Sequence, residues 1–383
     1  MSNKTPGFNT RCVHAGELQD TQFKGAVSPL FPSSSYAYEG VEKVRYPRYF
    51  NTPNQEALAR KMAAVEGGEE ALIFASGMAA VSNALLAFLQ SGDHVVLQQS
   101  LYGGTYNLAV EEFSKYGIEY SFTRGNSIEA FEGEIKENTK VIYIETPSNP
   151  LLTITDIRKI SELAKRFELV SMIDNTFASP VNQTPIELGI DISIHSATKY
   201  MGGHSDILAG AVIGSAEHIE RIFHLGKNLG GNLSDYTVWL LERSMKTMGL
   251  RVRVQSENAL EIARFLEEQP EVRSVYYPGL PSHPDHSVAA SQMNRFGGML
   301  SFELGEGLDV DRFLNALEWI KPSMSLAGVE STILAPAKTS HGLLTPEARQ
   351  EQGINDGLLR LSVGIEEHED LVEDITQALA RAK

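Results

Sequence analysis

The amino-acid sequence predicts an α/β fold in which a mainly parallel β-sheet is covered by helices on both faces. Between about residues 59 and 255, short apolar segments alternate with longer segments of helical pattern. Several of the apolar segments are continuous hydrophobic runs that end in polar residues, as expected for strands that are buried on both faces. In such a sheet the carboxyl ends of the strands open toward a ligand crevice. Together these observations indicate a layered α/β architecture.

The predicted elements begin with an N-terminal arm. Residues 1 to about 58 are polar and proline-rich, which suits an arm that wraps around a partner. Residues 70–75 form a strand pattern that leads through a glycine-containing turn into a helical pattern over 81–89. Because positions 71 to 92 carry no charge, a membrane-spanning helix is the alternative, but polar residues and the turn interrupt this run. A buried strand followed by a helix is therefore expected.

The later elements lead into a second, smaller domain. A long helical pattern from Tyr236 to Glu268 connects to it, and Met248 and Gly249 predict a bend or break in that helix. Residues 297–304 alternate like an antiparallel strand. Other strands are expected over 93–97, 140–145, 169–173 and 188–194, and a helix over 156–166. The predicted organisation is an arm over 1–58, a large domain over 59–255 and a small domain over 256–383.

Composition narrows the class of protein. The chain has 383 residues, of which 42% are hydrophobic, enough for a large core. Its formal net charge of −16 argues against nucleic acid or an anionic membrane surface as a partner. Cys12 is the only cysteine and the histidines are scattered, so neither a disulfide nor a metal site is expected. The first residues lack an apolar signal region, which predicts a cytoplasmic location.

The segment around Lys199 is the most informative part of the chain. Ser196 and Thr198 precede the lysine, and two glycines follow it at positions 202 and 203. Strongly apolar segments flank the whole stretch. Desolvation lowers the pKa of an amine toward the range in which it is a nucleophile, and the two hydroxyl groups suit phosphate oxygens. These are the requirements of a lysine that binds pyridoxal phosphate. A lysine that snorkels from a strand end is the alternative, and this segment alone leaves both open.

Three further segments fit the same ligand. Asp174 follows a short buried strand, where its carboxylate would point into the crevice and could support a protonated pyridine ring. Gly77 lies at the turn into a helix, whose N-terminal N–H groups favour an anion. Tyr102 follows another strand and suits stacking on a flat heteroaromatic ring. Taken singly, each of these residues is better explained as a turn, cap or core residue.

Six motifs then follow one another along the chain, and together they resemble a known family. They are SGM at 76–78, LYGGT at 101–105, ETPSNP at 145–150, DNT at 174–176, SATKYMGGHSD at 196–206 and RLSVGIE at 360–366. From about His14 to the C-terminus, the chain resembles the Cys/Met-metabolism group of pyridoxal-phosphate enzymes. That group includes cystathionine γ-synthase, the cystathionine β- and γ-lyases, methionine γ-lyase and the O-acylhomoserine sulfhydrylases.

The resemblance implies a fold and a set of cofactor contacts. The fold would be that of a fold type I enzyme dependent on pyridoxal 5′-phosphate (PLP), with a mainly parallel seven-stranded sheet between helices and a smaller α+β C-terminal domain. Lys199 would bind PLP covalently and act as general acid and base. Asp174 would pair with the pyridine nitrogen, and Asn149 would lie near the phenolic oxygen. Tyr102 would stack over the ring and take a proton from the incoming amine. The phosphate would be held by Gly77, Met78, Ser196 and Thr198.

The substrate and the neighbouring subunit follow from the same resemblance. Arg360 would bind the substrate α-carboxylate through its planar guanidinium, next to Ser325 and Asn149. Tyr46 and Arg48 match an arm that reaches the phosphate of the neighbouring subunit, although Pro47 between them departs from the family pattern. The implied assembly is a homo-oligomer, a tetramer built from dimers that share active sites, with a small sulfur amino acid as substrate.

The subfamily stays open between elimination and replacement. Met324 stands where cystathionine γ-synthases and γ-lyases typically have glutamate, and a methionine cannot pair with the distal ammonium of cystathionine. Gly104 stands where methionine γ-lyases typically have cysteine. We expect a carbon–sulfur lyase that carries out β- or γ-elimination, with γ-replacement as the alternative. An aminotransferase fits the motifs less well, and no suitably placed dinucleotide-binding glycine motif supports a dehydrogenase.

Overall fold

The computed structural model of the chain describes residues 5–339, 349 and 353–383. Within these residues, two β-sheets are joined by helices in the order that the sequence predicts. The strands are β1 Glu70–Phe74, β2 His94–Leu97, β3 Glu119–Phe122, β4 Thr139–Glu145, β5 Val170–Asp174, β6 Ile192–His195, β7 Gly210–Gly214, β8 Val272–Tyr276, β9 Met299–Leu304, β10 Lys321–Pro322, β11 Thr332–Leu334 and β12 Leu358–Ser362. The helices are α1 Phe8–His14, α2 Pro53–Glu66, α3 Gly77–Phe88, α4 Gly103–Asn107, α5 Ile128–Glu132, α6 Ile157–Arg166, α7 Ser179–Asn182, α8 Ala216–Leu229, α9 Asp235–Met245, α10 Met248–Glu267, α11 His286–Gln292, α12 Val310–Ala316 and α13 His368–Arg381.

The larger sheet is mainly parallel and has seven strands in the order β1-β7-β6-β5-β4-β2-β3. Strands β6, β5, β4, β2 and β3 run parallel, and β7 is antiparallel to both β1 and β6. Every residue of β2, β6 and β7 is buried, because helices cover both faces of the sheet. The α/β architecture with a mainly parallel seven-stranded sheet is confirmed.

The uncharged run over 71–92 divides into a strand and a helix. Strand β1 ends at Phe74, Ser76 caps α3 by accepting a hydrogen bond from the N–H of Ala79, and α3 continues to Phe88. A serine in this position satisfies one of the four free N–H groups of the first turn. Among the described residues, no helix is long and apolar enough to cross a membrane. The run is therefore a buried strand and helix, as expected.

The smaller sheet has five strands in the order β10-β11-β12-β9-β8 and packs with α10, α12 and α13. Strand β9 pairs antiparallel with β8 and β12, as the alternation over 297–304 predicts. It lies between β12 and β8, and all six of its residues are buried, so neither face of the strand is exposed.

Helix α10 connects the two sheets, and a short non-helical segment separates it from α9. The predicted break at Met248 and Gly249 lies between the end of α9 at Met245 and the start of α10 at Met248. Gly249 is inside the first turn of α10, where a Cβ would lie only 2.0 Å from Asn9 Oδ1. Its role is thus to admit the N-terminal arm. The predicted domain boundaries fall inside α2 (58/59) and α10 (255/256) and stay predictions.

Candidate functional site

A cavity of about 370 Å³ lies at the carboxyl ends of strands β4, β5 and β6, between the larger and the smaller sheet. This is the position at which open α/β sheets bind ligands. The cavity brings together every predicted site residue except Tyr46 and Arg48. These lining residues are Gly77, Met78, Tyr102, Asn149, Asp174, Ser196, Thr198, Lys199, Met324, Ser325 and Arg360.

Lys199 is half-buried in this cavity, and its amine donates a hydrogen bond of 2.7 Å to Ser325 Oγ. Burial lowers the pKa of Lys199 to about 8, and the positive charge of Arg360 acts in the same direction. Ser325 has a φ of +79°, a left-handed backbone conformation that is uncommon for a non-glycine residue. The amine is thus close to deprotonation at neutral pH, and the position of its partner is fixed by an unusual loop.

Arg360 reaches the cavity from the middle of β12 in the smaller sheet. Its two terminal nitrogens donate hydrogen bonds to Asn149 Oδ1 at 2.8 Å and to the carbonyl oxygen of Ser325 at 3.1 Å. Its Nε is buried and has no hydrogen-bond partner among the described residues. Burial lowers the pKa of Arg360 to about 10. A buried guanidinium with an unused donor favours a carboxylate ligand, since the charge of the ligand would complete its interactions.

Two neighbouring carboxylates lie under the cavity. Asp174 ends β5 and Glu145 ends β4, and the two residues are register partners in the parallel sheet. Burial raises the pKa of each carboxyl group, and the charge of Asp174 raises the pKa of Glu145 further. Asp174 accepts a hydrogen bond from the N–H of Thr176 and forms no ion pair within the described part of the chain. A cationic ligand nitrogen beside Asp174 would offset the cost of burying its unpaired negative charge.

Glu145 has a structural role that the sequence did not predict. Its two carboxylate oxygens accept hydrogen bonds from the N–H of Tyr102 at 2.7 Å and from the N–H of Asn149 at 3.2 Å. One buried carboxylate therefore fixes the backbones of two residues that line the cavity. Its place at the end of a strand is a sequence signal for a residue at the edge of the crevice, but not for this structural role.

The N-terminus of α3 provides an anion cradle. The N–H groups of Gly77 and Met78 form no hydrogen bond within the described residues, and the Ser196 hydroxyl lies beside them. A Cβ on residue 77 would lie 2.8 Å from Ser196 Cβ, so glycine is needed for this close approach. The Thr198 hydroxyl already donates a hydrogen bond to the carbonyl oxygen of Ala209 and accepts one from its N–H. It therefore has less hydrogen-bonding capacity left for a phosphate than Ser196 has.

Tyr102 lines the cavity and is half exposed, at 51%. It immediately precedes α4. A Cβ on Gly104 would lie 2.7 Å from the Tyr102 ring and 2.8 Å from Met78 Sδ. A larger residue at position 104 would therefore move the tyrosine, so the glycine is matched to the ring position seen here.

Tyr46 and Arg48 lie outside the cavity of their own chain. They are in an exposed part of the arm, where Arg48 donates a hydrogen bond to the carbonyl oxygen of Lys227 and its guanidinium carbon lies 5.4 Å from the centre of the Tyr46 ring. The position of both residues outside their own cavity is what an arm that serves a neighbouring subunit requires. A contact with the cavity in trans stays a prediction.

The residues of the cavity fit PLP. The free N–H groups of Gly77 and Met78 suit its phosphate, the buried carboxylate of Asp174 suits a protonated pyridine nitrogen, and Lys199 supplies an amine of lowered pKa between them. Among the described residues, no group of three or more His, Cys, Asp or Glu side chains is placed to hold a metal ion. The groups that line the cavity therefore suit an organic phosphate that carries a cationic ring.

Comparison with known proteins gives the same result. The model of the Cys/Met metabolism PLP-dependent enzyme family matches residues 9–380. The chain is 44% identical over 379 residues to a cystathionine beta-lyase of Lactococcus lactis subsp. cremoris, with 98% of this chain and 99% of the relative covered. It is 44% identical over 374 residues to a cystathionine gamma-lyase of Bacillus subtilis, with 97% and 98% covered. The structure of a cystathionine gamma synthase from Xanthomonas oryzae pv. oryzae superposes with a TM-score of 0.95 at 38% identity, with 99% of each chain covered.

Proposed function

The chain belongs to the Cys/Met metabolism PLP-dependent enzyme family, and from that premise we propose that it is a carbon–sulfur lyase acting on a sulfur-containing α-amino acid. Its cofactor is pyridoxal 5′-phosphate. The observation that carries the proposal is the Lys199 amine, held 2.7 Å from Ser325 Oγ in a cavity to which Arg360 brings an unused donor. These groups suit removal of a proton from the α-carbon of an amino acid whose carboxylate is fixed.

The division of labour follows from the positions of the side chains. When bound, the cofactor supplies an electron sink for the electrons that stay at Cα after its proton leaves. Arg360 orients the substrate carboxylate, and Lys199 takes the Cα proton, since its lowered pKa leaves part of the amine neutral near pH 7. In β-elimination the Cβ–S bond then breaks, and the sulfur leaves with the electron pair and is protonated to a thiol. In γ-elimination Lys199 would first pass the Cα proton to the electron sink and, neutral again, remove a Cβ proton before the Cγ–S bond breaks, and the leaving sulfur would take the proton that Lys199 then holds.

The mouth of the cavity is apolar, which bears on the choice of substrate. Met324 and Leu208 line it and are 69% and 60% exposed. The two carboxylates among the described lining residues, Glu145 and Asp174, are buried beneath the site and are not available to a distal ammonium. A thioether side chain therefore fits this mouth better than a second charged group does.

The test of the proposal is the product formed from L-cystathionine. We expect the purified holoenzyme to release a keto acid, identified by mass spectrometry, together with ammonia. Pyruvate would establish β-elimination, and 2-oxobutyrate would establish γ-elimination. The absence of both, with the cofactor absorbance intact, would contradict the lyase proposal for this substrate. It would favour γ-replacement on an activated homoserine, the alternative that the similarity to a cystathionine gamma synthase supports.

Replacement of Met324 tests whether this residue selects the substrate. In Met324→Glu, we expect kcat/KM for cystathionine to rise roughly 2- to 5-fold relative to that for methionine, because a solvent-exposed carboxylate gains a modest ion pair with the distal ammonium. Met324→Gln is the matched control, since it adds polarity and no charge. An unchanged ratio of the two kcat/KM values in Met324→Glu would mean that residue 324 does not face the distal part of the substrate.

The assembly is part of the proposal. The arm leaves large apolar side chains exposed, among them Phe23 at 78% and Tyr38 at 75%. Burial of such side chains against a second copy would stabilise a dimer. We infer a homo-oligomer in which Tyr46 and Arg48 complete the cofactor site of the neighbouring subunit. A tetrameric state and a cytoplasmic location stay predictions.

A further inference from the structure

Two buried side chains on α10 contact the two segments that carry the partners of the Lys199–Ser325 hydrogen bond. Arg251 and Gln255 are separated by one helical turn, so they project from the same face of the helix. Neither residue lines the cavity, and no sequence motif described above includes them. We call this pair the α10 brace.

Arg251 holds the turn that carries Lys199. Its NH1 donates a hydrogen bond of 3.0 Å to the carbonyl oxygen of Tyr200, and its NH2 lies 3.5 Å from the carbonyl oxygen of Met201. The carbonyl oxygen of Lys199 itself accepts a 2.7 Å hydrogen bond from the N–H of Gly203. Three successive carbonyl groups that begin at the lysine are therefore satisfied, and one guanidinium serves two of them.

The fit of Arg251 in this turn is close. Its side chain is 5% exposed, and a Cβ on residue 203 would lie 1.8 Å from its NH1. Gly203 has a φ of +69°, which brings the chain around the guanidinium. Arg251 forms no ion pair with a carboxylate among the described residues, so its charge is met by the carbonyl oxygens of the turn and of Ser244. Its Nε donates a further hydrogen bond of 3.1 Å to Thr247 Oγ1. A buried charge that is held only by neutral groups in the described part of the chain is strongly tied to their positions.

Gln255 holds the loop that carries Ser325. Its Nε2 donates a 2.7 Å hydrogen bond to the carbonyl oxygen of Gly328. Ser325 and Ala327 in the same loop have φ values of +79° and +66°, which non-glycine residues adopt only when their surroundings impose them. The Gln255 hydrogen bond attaches this loop to α10 at the residue that follows Ala327.

We propose that Arg251 and Gln255 are positioning residues that set the distance between Lys199 Nζ and Ser325 Oγ. One rigid helix contacts both segments, so a displacement at either contact changes the separation of the two atoms. The same helix leads into the smaller sheet, which carries Arg360. The brace thus fixes the base and the carboxylate-binding residue relative to each other. This inference rests on the role proposed above for Lys199.

The test compares Arg251→Lys, Arg251→Met and Gln255→Met with the wild-type holoenzyme. We expect kcat to fall about 10- to 100-fold with little change in KM, because misplacement of a reacting group by about 1 Å costs rates of this order. The rate at which PLP becomes covalently attached to Lys199 in the apo-chain, followed by absorbance, should fall in parallel. Arg251→Lys, which keeps the charge, should recover part of the loss seen in Arg251→Met.

Asn258→Leu is the matched control. Asn258 lies on the same helix and is buried, and it donates hydrogen bonds to the carbonyl oxygens of Gly364 and Glu366, away from the lysine turn. We expect this variant to lower the midpoint of thermal unfolding and to leave the attachment rate and kcat of the folded protein unchanged. Equal losses in Asn258→Leu and the brace variants would overturn the inference in favour of a general structural effect.

A double-mutant cycle separates the remaining outcomes. If the brace acts through Ser325, Gln255→Met should have at least about a fivefold smaller effect on kcat in a Ser325→Ala background than in the wild type. Additive effects, or folded and loaded variants with wild-type attachment rates, would overturn the inference. Should the Arg251 variants fail to fold, Gln255→Met decides alone. A wild-type protein that never attaches PLP to Lys199 would instead contradict the proposed function.

Discussion

At the scale of single residues, the chemistry of the site depends on side chains whose charge is costly in their surroundings. Lys199, Arg360, Asp174 and Glu145 each have a pKa displaced by burial in the direction that favours the neutral form. Lys199 and Asp174 could be proposed from sequence because the first lies in the turn after a buried strand and the second ends one, whereas Arg360 was proposed because its motif resembles that of the family. The role of Glu145 could not, because it acts on backbone N–H groups of Tyr102, 43 positions away, and of Asn149.

Replacement of the lysine tests the central assignment. We expect Lys199→Ala to lose the yellow absorbance that survives dialysis and to lower kcat by at least about 10³-fold, because both the covalent attachment and the proton transfer need its amine. Lys159→Ala, on the exposed face of α6, is the control and should behave as the wild type. A Lys199→Ala protein that keeps the dialysis-resistant band would contradict the assignment.

The pKa of about 8 for Lys199 predicts a pH dependence for cofactor attachment. Only the neutral amine attacks a carbonyl group, and the neutral fraction grows as the pH rises through the pKa. The rate of PLP attachment to the apo-chain should therefore rise with pH and level off above about 8. The rate at which PLP reacts with a free lysine analogue should keep rising with pH until about pH 10.4. A protein profile that follows the analogue would show that the cavity does not lower the pKa.

At the scale of elements, helix starts and helix faces place the functional groups. Ser76 caps α3 and leaves the next two N–H groups free for an anion, which the SGM motif predicts from its composition. The function of α10 could not be predicted in this way. The contacts of Arg251 and Gln255 span 50 to 73 positions of sequence, and the pattern of α10 shows only that these residues belong to a helix. Likewise the break predicted at Met248 and Gly249 is present just before α10, but the close approach of Asn9 to Gly249 could not be predicted.

Gly77 provides a test of the anion cradle. We expect Gly77→Ala to weaken PLP binding roughly tenfold, because its Cβ would lie 2.8 Å from Ser196 Cβ and force α3 and the Ser196 hydroxyl apart. The measurement is the Kd from titration of the apo-chain with PLP. Gly7→Ala, whose Cβ would meet nothing within 4 Å, is the control and should bind as the wild type. Unchanged affinity in Gly77→Ala would place the phosphate elsewhere.

At the scale of the whole molecule, the site as one chain presents it lacks the two residues of the arm that sequence assigns to it. Tyr46 and Arg48 are exposed and lie outside the cavity, while the rest of the predicted set surrounds it. The alternation of strands and helices in the larger sheet follows from local hydrophobic pattern and could be predicted, whereas β3, β8, β10 and β11 were not predicted. Where an arm docks depends on a surface of another copy, which the pattern of one chain does not contain. The trans arrangement therefore rests on the resemblance, and a complementation experiment can test it.

Mixed oligomers of two inactive variants decide whether the arm acts in trans. Lys199→Ala and Arg48→Ala should each be nearly inactive, the first without the amine and the second without the guanidinium that we propose holds the partner's phosphate. When the two are unfolded together in equal amounts and refolded, half of the dimers are hybrids, and each hybrid has one site with both residues intact. We therefore expect about a quarter of the wild-type activity to return. If Arg48 served the site of its own chain, every site would lack one residue, and mixing would restore no activity.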